Sequence, residues 1–150
     1  MRASGFAIVA ALIVGACTQQ PAQMTNEQLV ERGQYLVTSV GGCNDCHTPM
    51  TPQGPDMAHT LQGAPLAFQL VPALQGQVPW ADTAPPIAGG PANYTDEQFA
   101  TFLQTGVRPD GSHPRAPMPP FRFNADDASA VVAYIKTLPR AQASAPTATP

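Results

Sequence analysis

The chain has 150 residues, a length that suits one small domain. Only 11% of the residues are charged, the formal net charge is -3, and Lys136 is the single lysine. Because there is no basic run, nothing in the sequence points to nucleic-acid binding. Hydrophobic residues make up 43% of the chain, but the 18 prolines restrict helices and central strands, so we expect a small core.

The N-terminus is predicted to be a targeting segment. Arg2 precedes an apolar stretch at residues 5–14 that is too short to span a bilayer but fits the hydrophobic region of a secretory signal. The next four residues, Val-Gly-Ala-Cys at 14–17, resemble a bacterial lipobox. This resemblance implies a signal peptide at 1–16, a lipid on the sulfur of Cys17 and a lipidated tether at 17–24. The alternative is an ordinary secretory signal cut somewhere between Ala16 and Ala22.

The lipobox resemblance also implies a location. The protein would be exported to the periplasm and anchored to a membrane by several acyl chains at Cys17, since stable anchoring takes more than one chain. Thr18 stands where the best-known lipoproteins retained at the inner membrane have aspartate. The outer membrane is therefore favoured over the inner membrane.

A first helix is predicted to begin after Thr25. Threonine is a favoured N-cap, and Gln28 stands three positions later, as in a capping box. Gly41 and Gly42 are expected to end the helix. Between these limits, residues at helical spacing form one packing face, which consists of Leu29, Gly33, Leu36, Val37 and Val40.

Directly after this helix, Cys43, Cys46 and His47 form a C-x-x-C-H sequence. The spacing is typical of c-type haem attachment. Two thiols on one turn can each add to a vinyl group of one porphyrin, and the adjacent histidine can bind the iron. Zinc binding and thioredoxin-like dithiol chemistry are the alternatives. Only His59 and His113 remain as further zinc ligands, and the βαβ pattern around a thioredoxin-like pair is absent. One covalent haem c is therefore the predicted cofactor.

The rest of the chain is predicted to contain long loops. Residues 48–93 show neither a helical nor a strand period, which is unusual in a compact domain unless the loop wraps a large apolar ligand. In a second loop at 107–123, Met118 lies between prolines and is the predicted second axial ligand of the iron. Met57, His59 and His113 are rival ligands. An open iron position, and Met118 as core filling, are further alternatives.

Two further helices are predicted beside the second loop. Thr95 with Gln98 repeats the capping box, and Gly106 ends that helix. Asn124 caps the last helix, which Pro139 stops. Their apolar faces consist of Phe99, Phe102 and Leu103 in one, and Ala128, Val131, Val132, Ile135 and Leu138 in the other.

Taken together, these segments resemble the monohaem class I cytochromes c. The resemblance runs from Met24 to Leu138 and implies an all-α fold with three main helices and long Pro/Gly-rich loops around one haem. In that fold a glycine on the first helix lets an aromatic residue on the last helix approach, and Gly33 and Tyr134 match these positions. The segments that carry the resemblance are 31–36, 42–48, 117–119 and 133–139. The folded domain is predicted at 25–139, followed by a disordered tail at 140–150.

The resemblance implies a one-electron carrier rather than an enzyme, with His47 and Met118 as the iron ligands. A narrower resemblance is to small cytochromes that serve periplasmic dehydrogenases. The expected partners are therefore redox proteins: a dehydrogenase, an oxidase or another cytochrome. A haem enzyme, such as a peroxidase or small-molecule reductase, and a haem-based sensor remain alternatives. With Lys136 alone, the chain cannot form the ring of lysines that many such cytochromes use for docking.

Two predictions concern the surroundings of the haem. The His47 ring should donate its other N–H to a backbone carbonyl, and the resemblance favours the Gly54-Pro55 turn for this role. Trp80 either donates its indole N–H to a haem propionate or packs as a partly buried structural residue. The arginines that could instead bind a propionate, or lie in solvent, are Arg108, Arg115 and Arg122.

Overall fold

The computed structural model describes residues 24–141. Four helices organise this range, and the most extensive contact between elements joins the first to the last. They are α1 (Asn26–Tyr35), α2 (Cys43–His47), α3 (Asp96–Thr105) and α4 (Ala125–Thr137). The predicted signal peptide, Cys17 and nearly all of the tether and tail lie outside the described residues. Within residues 24–141 no helix is long and apolar enough to cross a membrane.

The three longer helices begin at the predicted caps. The Thr25 hydroxyl accepts from the Gln28 N–H at 3.3 Å, and the Gln28 side chain accepts from the Thr25 N–H at 2.9 Å. Thr95 and Gln98 form the same reciprocal pair at 3.2 and 2.9 Å. At α4, the Asn124 side chain accepts from the Asp127 N–H at 2.8 Å. Both capping boxes and the third cap are therefore confirmed.

The first helix widens before it ends. Residues Leu36–Val40 form one π-helical turn, in which the Gly41 N–H donates to the Leu36 carbonyl at 2.7 Å. A π turn takes more residues than an α turn, so the faces of the helix rotate along it. Val40 consequently points outward and is 56% exposed. The prediction that Val40 belongs to the packing face is therefore wrong, whereas the predicted end at Gly41 is confirmed.

Helices α1 and α4 meet backbone to backbone at Gly33. A Cβ at this position would lie 1.9 Å from the Ala130 carbonyl oxygen and 2.8 Å from the Cβ of Tyr134. Glycine is therefore required for the close approach, and the predicted pairing of Gly33 with Tyr134 is confirmed. An ion pair between Arg32 and Asp127, at 2.9 Å, also joins these two helices.

The core lies where the apolar faces of α1, α3 and α4 meet. The predicted stripes on α3 and α4 are buried, apart from a half-buried Leu138 at the end of α4. Leu61 and Ala88 from the long loop complete the core. The mostly helical fold predicted from the sequence is thus confirmed.

The segment between α2 and α3 is more ordered than its sequence indicates. It contains two antiparallel pairs of two-residue strands and two single turns of 3-10 helix. The sequence shows no strand period here because a strand of two residues is too short to produce one. The pairs are β1 (Met50–Thr51) with β2 (Gly54–Pro55), and β3 (Ala64–Pro65) with β4 (Thr83–Ala84); the 3-10 turns are Met57–His59 and Pro72–Leu74.

Hydrogen bonds continue one residue past the predicted domain boundary at Pro139. The Arg140 guanidinium donates to the carbonyls of Gly89 and Gly90 at 2.6 and 3.1 Å. The Gly89 N–H in turn donates to the Ile135 carbonyl at 2.9 Å. Arg140, which the sequence placed in the tail, therefore fastens part of the long loop to the end of α4.

Candidate functional site

A cavity of about 810 Å³ opens between the loops and the helices α3 and α4. Its volume falls within the roughly 300–1,000 Å³ that is usual for pockets that bind small molecules and cofactors. Its walls are mainly apolar. Cys43, Cys46, His47 and Met118 all line it. The structure thus brings the four predicted haem-binding residues to one cavity.

The two thiols lie on one turn of α2, which starts after Gly42 in a left-handed conformation (φ 59°). The sulfurs are not joined to each other. Burial raises the pKa of the Cys43 thiol to about 11, and burial raises the pKa of the Cys46 thiol as well. Redox-active thiols usually have a lowered pKa, so the raised pKa of both thiols disfavours the dithiol alternative.

Zinc binding also lacks support at the motif. Within residues 24–141, no group of three or more His, Cys, Asp or Glu side chains is placed to hold a metal ion. A structural zinc site usually needs four such ligands. The arrangement at Cys43 and Cys46 therefore fits covalent haem attachment better than zinc.

The imidazole of His47 is buried, with 6% of the residue exposed, and is held by a backbone carbonyl. Its Nδ1–H donates to the Pro85 carbonyl at 2.7 Å, which leaves Nε2 as the nitrogen that can bind a metal. Burial lowers the pKa of His47, although the Pro85 bond opposes this, so the neutral ring is favoured. The prediction that Gly54-Pro55 supplies the carbonyl is wrong, because those residues form β2 and pair with β1.

Met118 reaches the cavity on a loop that is attached at both ends. On one side, the Ala81 N–H donates to the Ala116 carbonyl at 2.8 Å. On the other side, the Arg122 guanidinium donates to the Thr105 carbonyl, at the end of α3, at 2.9 Å. The Met118 side chain is half-buried and packs against the core. The loop can therefore hold this thioether in one place.

The rival ligands lie elsewhere. Met57 is 60% exposed. The exposed His59 ring bonds through Nδ1 to the Asp56 carboxylate at 2.6 Å, and this hydrogen bond lowers the pKa of Asp56. The His113 Nδ1–H donates to the Gly106 carbonyl at 3.1 Å. None of these three candidates lines the cavity. Among the predicted sixth ligands, only Met118 shares the cavity with His47.

Polar groups near the cavity also fit an anionic cofactor. The indole Nε1–H of Trp80 is buried and has no hydrogen-bond partner among residues 24–141. Leaving such a group unpaired costs about 1–3 kcal/mol, so an acceptor is expected there. Ala81, the next residue, lines the cavity, as do Arg108 and Arg115, whereas Arg122 does not. Trp80 itself does not line the cavity, whereas the cationic side chains of Arg108 and Arg115 do and suit a porphyrin propionate, so the residues present fit haem.

The comparison with known proteins supports the interpretation of this cavity as a haem site. The family model for cytochrome c matches residues 30–139. The chain belongs to the cytochrome c family. Membership in this family, together with the C-x-x-C-H motif on the cavity wall, supports electron transfer through a c-type haem.

One similar curated protein is named as a cytochrome c subunit and another as a diheme cytochrome. The protein is 33% identical over 117 residues to the cytochrome c subunit of alcohol dehydrogenase (quinone) from Gluconobacter oxydans, covering 75% of this chain and 22% of the relative. It is 30% identical over 115 residues to a diheme cytochrome c-type protein from Cereibacter sphaeroides, covering 73% of this chain and 35% of the relative. This cytochrome therefore spans about a third or less of either relative.

Sequence reasoning missed several residues that build the site. Pro85 was not singled out, although Ala84-Pro85-Pro86 is as good a turn signal as Gly54-Pro55. Thr48 was seen only as part of the motif segment, and Leu61 carries no signal of its role. Pro85 and Leu61 act through their backbone groups and Thr48 acts through its hydroxyl, and these contacts join distant parts of the chain.

Proposed function

We propose that this cytochrome is a one-electron carrier with a single covalent haem, attached at Cys43 and Cys46 and ligated by His47 and Met118. The observation that carries the proposal is that these four side chains line one apolar cavity while the rival ligands do not. The haem, when bound, supplies the exchange between ferric and ferrous iron. The chain holds the imidazole through Pro85, and His47 and Met118 both line the mainly apolar cavity, so these two side chains would ligate the iron of a bound haem. A histidine–methionine pair favours the ferrous state, so we expect a high reduction potential.

The same geometry favours a carrier over a haem enzyme or a sensor. A peroxidase, a reductase or a gas sensor needs an open iron position and access for a small molecule. Here the Met118 loop is attached both to the 80–81 segment and to α3. A thioether held in this way would occupy the remaining ligand position of a bound haem iron.

Carbon monoxide tests this proposal directly, because it binds ferrous haem only where a coordination position is open. We expect the absorption spectrum of the reduced native protein to stay unchanged on the addition of carbon monoxide. The same sample, in enough denaturant to detach Met118, should bind the gas and serves as the positive control. Rapid binding by the native protein would instead support a sensor or an enzyme.

We further propose a signal peptide at 1–16, a lipid anchor on Cys17 and a tether that joins it to a folded domain starting at Thr25. The support is the lipobox-like sequence that ends at Cys17, and Thr18 favours the periplasmic face of the outer membrane. Replacing residues 1–17 with a secretory signal that is cleaved without lipidation should move the protein from the membrane fraction to the soluble periplasmic fraction while its haem spectrum stays the same. Retention of that variant in the membrane fraction would show that another feature anchors it.

For partners, we propose a periplasmic dehydrogenase as electron donor and a respiratory-chain component as acceptor. The support is the relative named as a dehydrogenase cytochrome subunit. Docking through a ring of lysines is not available, and Lys136 is itself paired with Asp96.

We therefore expect the rate of reduction by a quinone-dependent dehydrogenase to depend weakly on ionic strength. A steep fall with added salt would point to a charge-steered partner instead.

A further inference from the structure

Leu61 adopts a backbone conformation that leucine rarely uses. Its φ is 57°, in the left-handed region, and the residue is 0% exposed. A non-glycine residue is strained there, and it stays in place only where its surroundings hold it. The contacts of Leu61 therefore indicate what this strain maintains.

Three hydrogen bonds fix the peptide groups of Leu61. Its N–H donates to the hydroxyl of Thr48 at 2.9 Å. Its carbonyl accepts from the N–H groups of both Ile87 and Ala88, at 2.9 and 3.0 Å. Thr48 is itself 1% exposed, and its hydroxyl donates to the Asn44 side chain at 3.3 Å. Leu61 thus joins the haem-attachment segment, through Thr48, to the part of the long loop at residues 87–88.

A second contact brings the same two parts of the chain together. The Gly63 N–H donates to the His47 carbonyl at 2.7 Å. A Cβ on Gly63 would lie 2.8 Å from the Pro86 backbone nitrogen, so the two segments touch backbone to backbone. Pro85, whose carbonyl accepts from the His47 ring, is the residue just before this contact. The placement of that carbonyl therefore depends on the 61–63 segment.

We propose that Thr48 is a positioning residue for the axial histidine. Through Leu61, its hydroxyl places the Pro85 carbonyl and so sets the strength of the hydrogen bond from His47 Nδ1. This inference rests on the proposed function, in which His47 binds the iron. A strong bond from Nδ1–H makes the imidazole a better electron donor, which favours ferric iron. Loss of the Thr48 hydroxyl loosens the network, weakens that bond and favours the ferrous state.

Thr48→Val removes the hydroxyl and keeps the branched shape of the side chain, while Thr48→Ser keeps the hydroxyl. In Thr48→Val we expect the reduction equilibrium to shift about threefold toward ferrous haem, roughly 28 mV at 59 mV per tenfold for one electron. Thr48→Ser should stay close to the wild type. Thr51→Val is the matched control, since Thr51 is exposed and donates to Gly54 outside the network. An unchanged or lower potential in Thr48→Val overturns the proposal.

Hydrogen exchange on the wild type tests the network even where Thr48→Val fails to fold. The amides of Leu61, Ile87 and Ala88 should exchange slowly and at similar rates, because they close one unit. Fast exchange at Leu61, at the rate of exposed loop amides, overturns the proposal. A wild type without covalent haem overturns the proposed function together with this inference. A normal wild-type spectrum with an unchanged Thr48→Val potential overturns this inference alone.

Discussion

Replacing Met118 with leucine should lower the reduction potential and let the reduced protein bind carbon monoxide. Leucine is close to methionine in size, so packing against the core is largely kept, but it has no donor atom. Since the choice of axial ligands spans about 0.8 V, we expect a fall on the order of 0.1 V or more. A potentiometric titration and a carbon monoxide difference spectrum measure the two effects. Peroxide turnover should also rise, because a small molecule can then reach the iron.

Met57→Leu is the matched control for this experiment. It makes the same chemical change at a methionine that is 60% exposed and lies away from the cavity. Its potential and its lack of carbon monoxide binding should equal those of the wild type. If Met118→Leu behaves in the same way as Met57→Leu, the sixth ligand is another residue and the role given to Met118 is refuted.

The second large effect is expected from Gly33→Ala. An added methyl group would meet the Ala130 carbonyl carbon at 2.6 Å and the carbonyl oxygen at an even shorter distance, so α1 and α4 must move apart. Overpacking of a core costs about 1–3 kcal/mol and sometimes more. Contacts this short favour the upper end, about 3 kcal/mol, and alanine recovers up to about 1 kcal/mol of helix propensity, which leaves a net loss of roughly 2 kcal/mol in the free energy of unfolding. Thermal unfolding should show a fall in Tm of roughly 5–10 °C.

Gln34→Ala provides the comparison for Gly33→Ala, since Gln34 is the next residue of α1 and is exposed. Its free energy of unfolding should stay within about 0.5 kcal/mol of the wild type. Equal stability of the two variants would mean that α1 and α4 do not approach as closely in solution as they do here.

Helix starts were predictable because their signals are local. Thr25 with Gln28 and Thr95 with Gln98 meet within a single turn, so the sequence spacing alone determines the hydrogen bonds. The motif at Cys43, Cys46 and His47 is predictable for the same reason. By contrast, the π turn that exposes Val40 changes the phase of a helix whose apolar pattern continues through it. A pattern of residues does not reveal that change.

The loop contacts could not be predicted, because they depend on the path of the chain in three dimensions. Both Gly54-Pro55 and the prolines at 85–86 are turn signals, and only the fold shows that Pro85 faces His47. A left-handed Leu61 is equally hidden, since leucine gives no sign of a positive φ. Met118 could be proposed as a ligand from the sequence alone, because stiffening prolines around a methionine favour a ligand role whatever the path of the loop.

The most direct test of the whole account is one measurement on the full chain, produced with the machinery that attaches haem. It is a potentiometric titration followed by visible absorption. We predict a c-type spectrum with one reversible one-electron transition at a clearly positive potential, as expected for one haem with histidine and methionine ligands. A strongly negative potential would contradict the role of Met118 and favour a second nitrogen ligand. A protein without covalent haem would contradict the account as a whole.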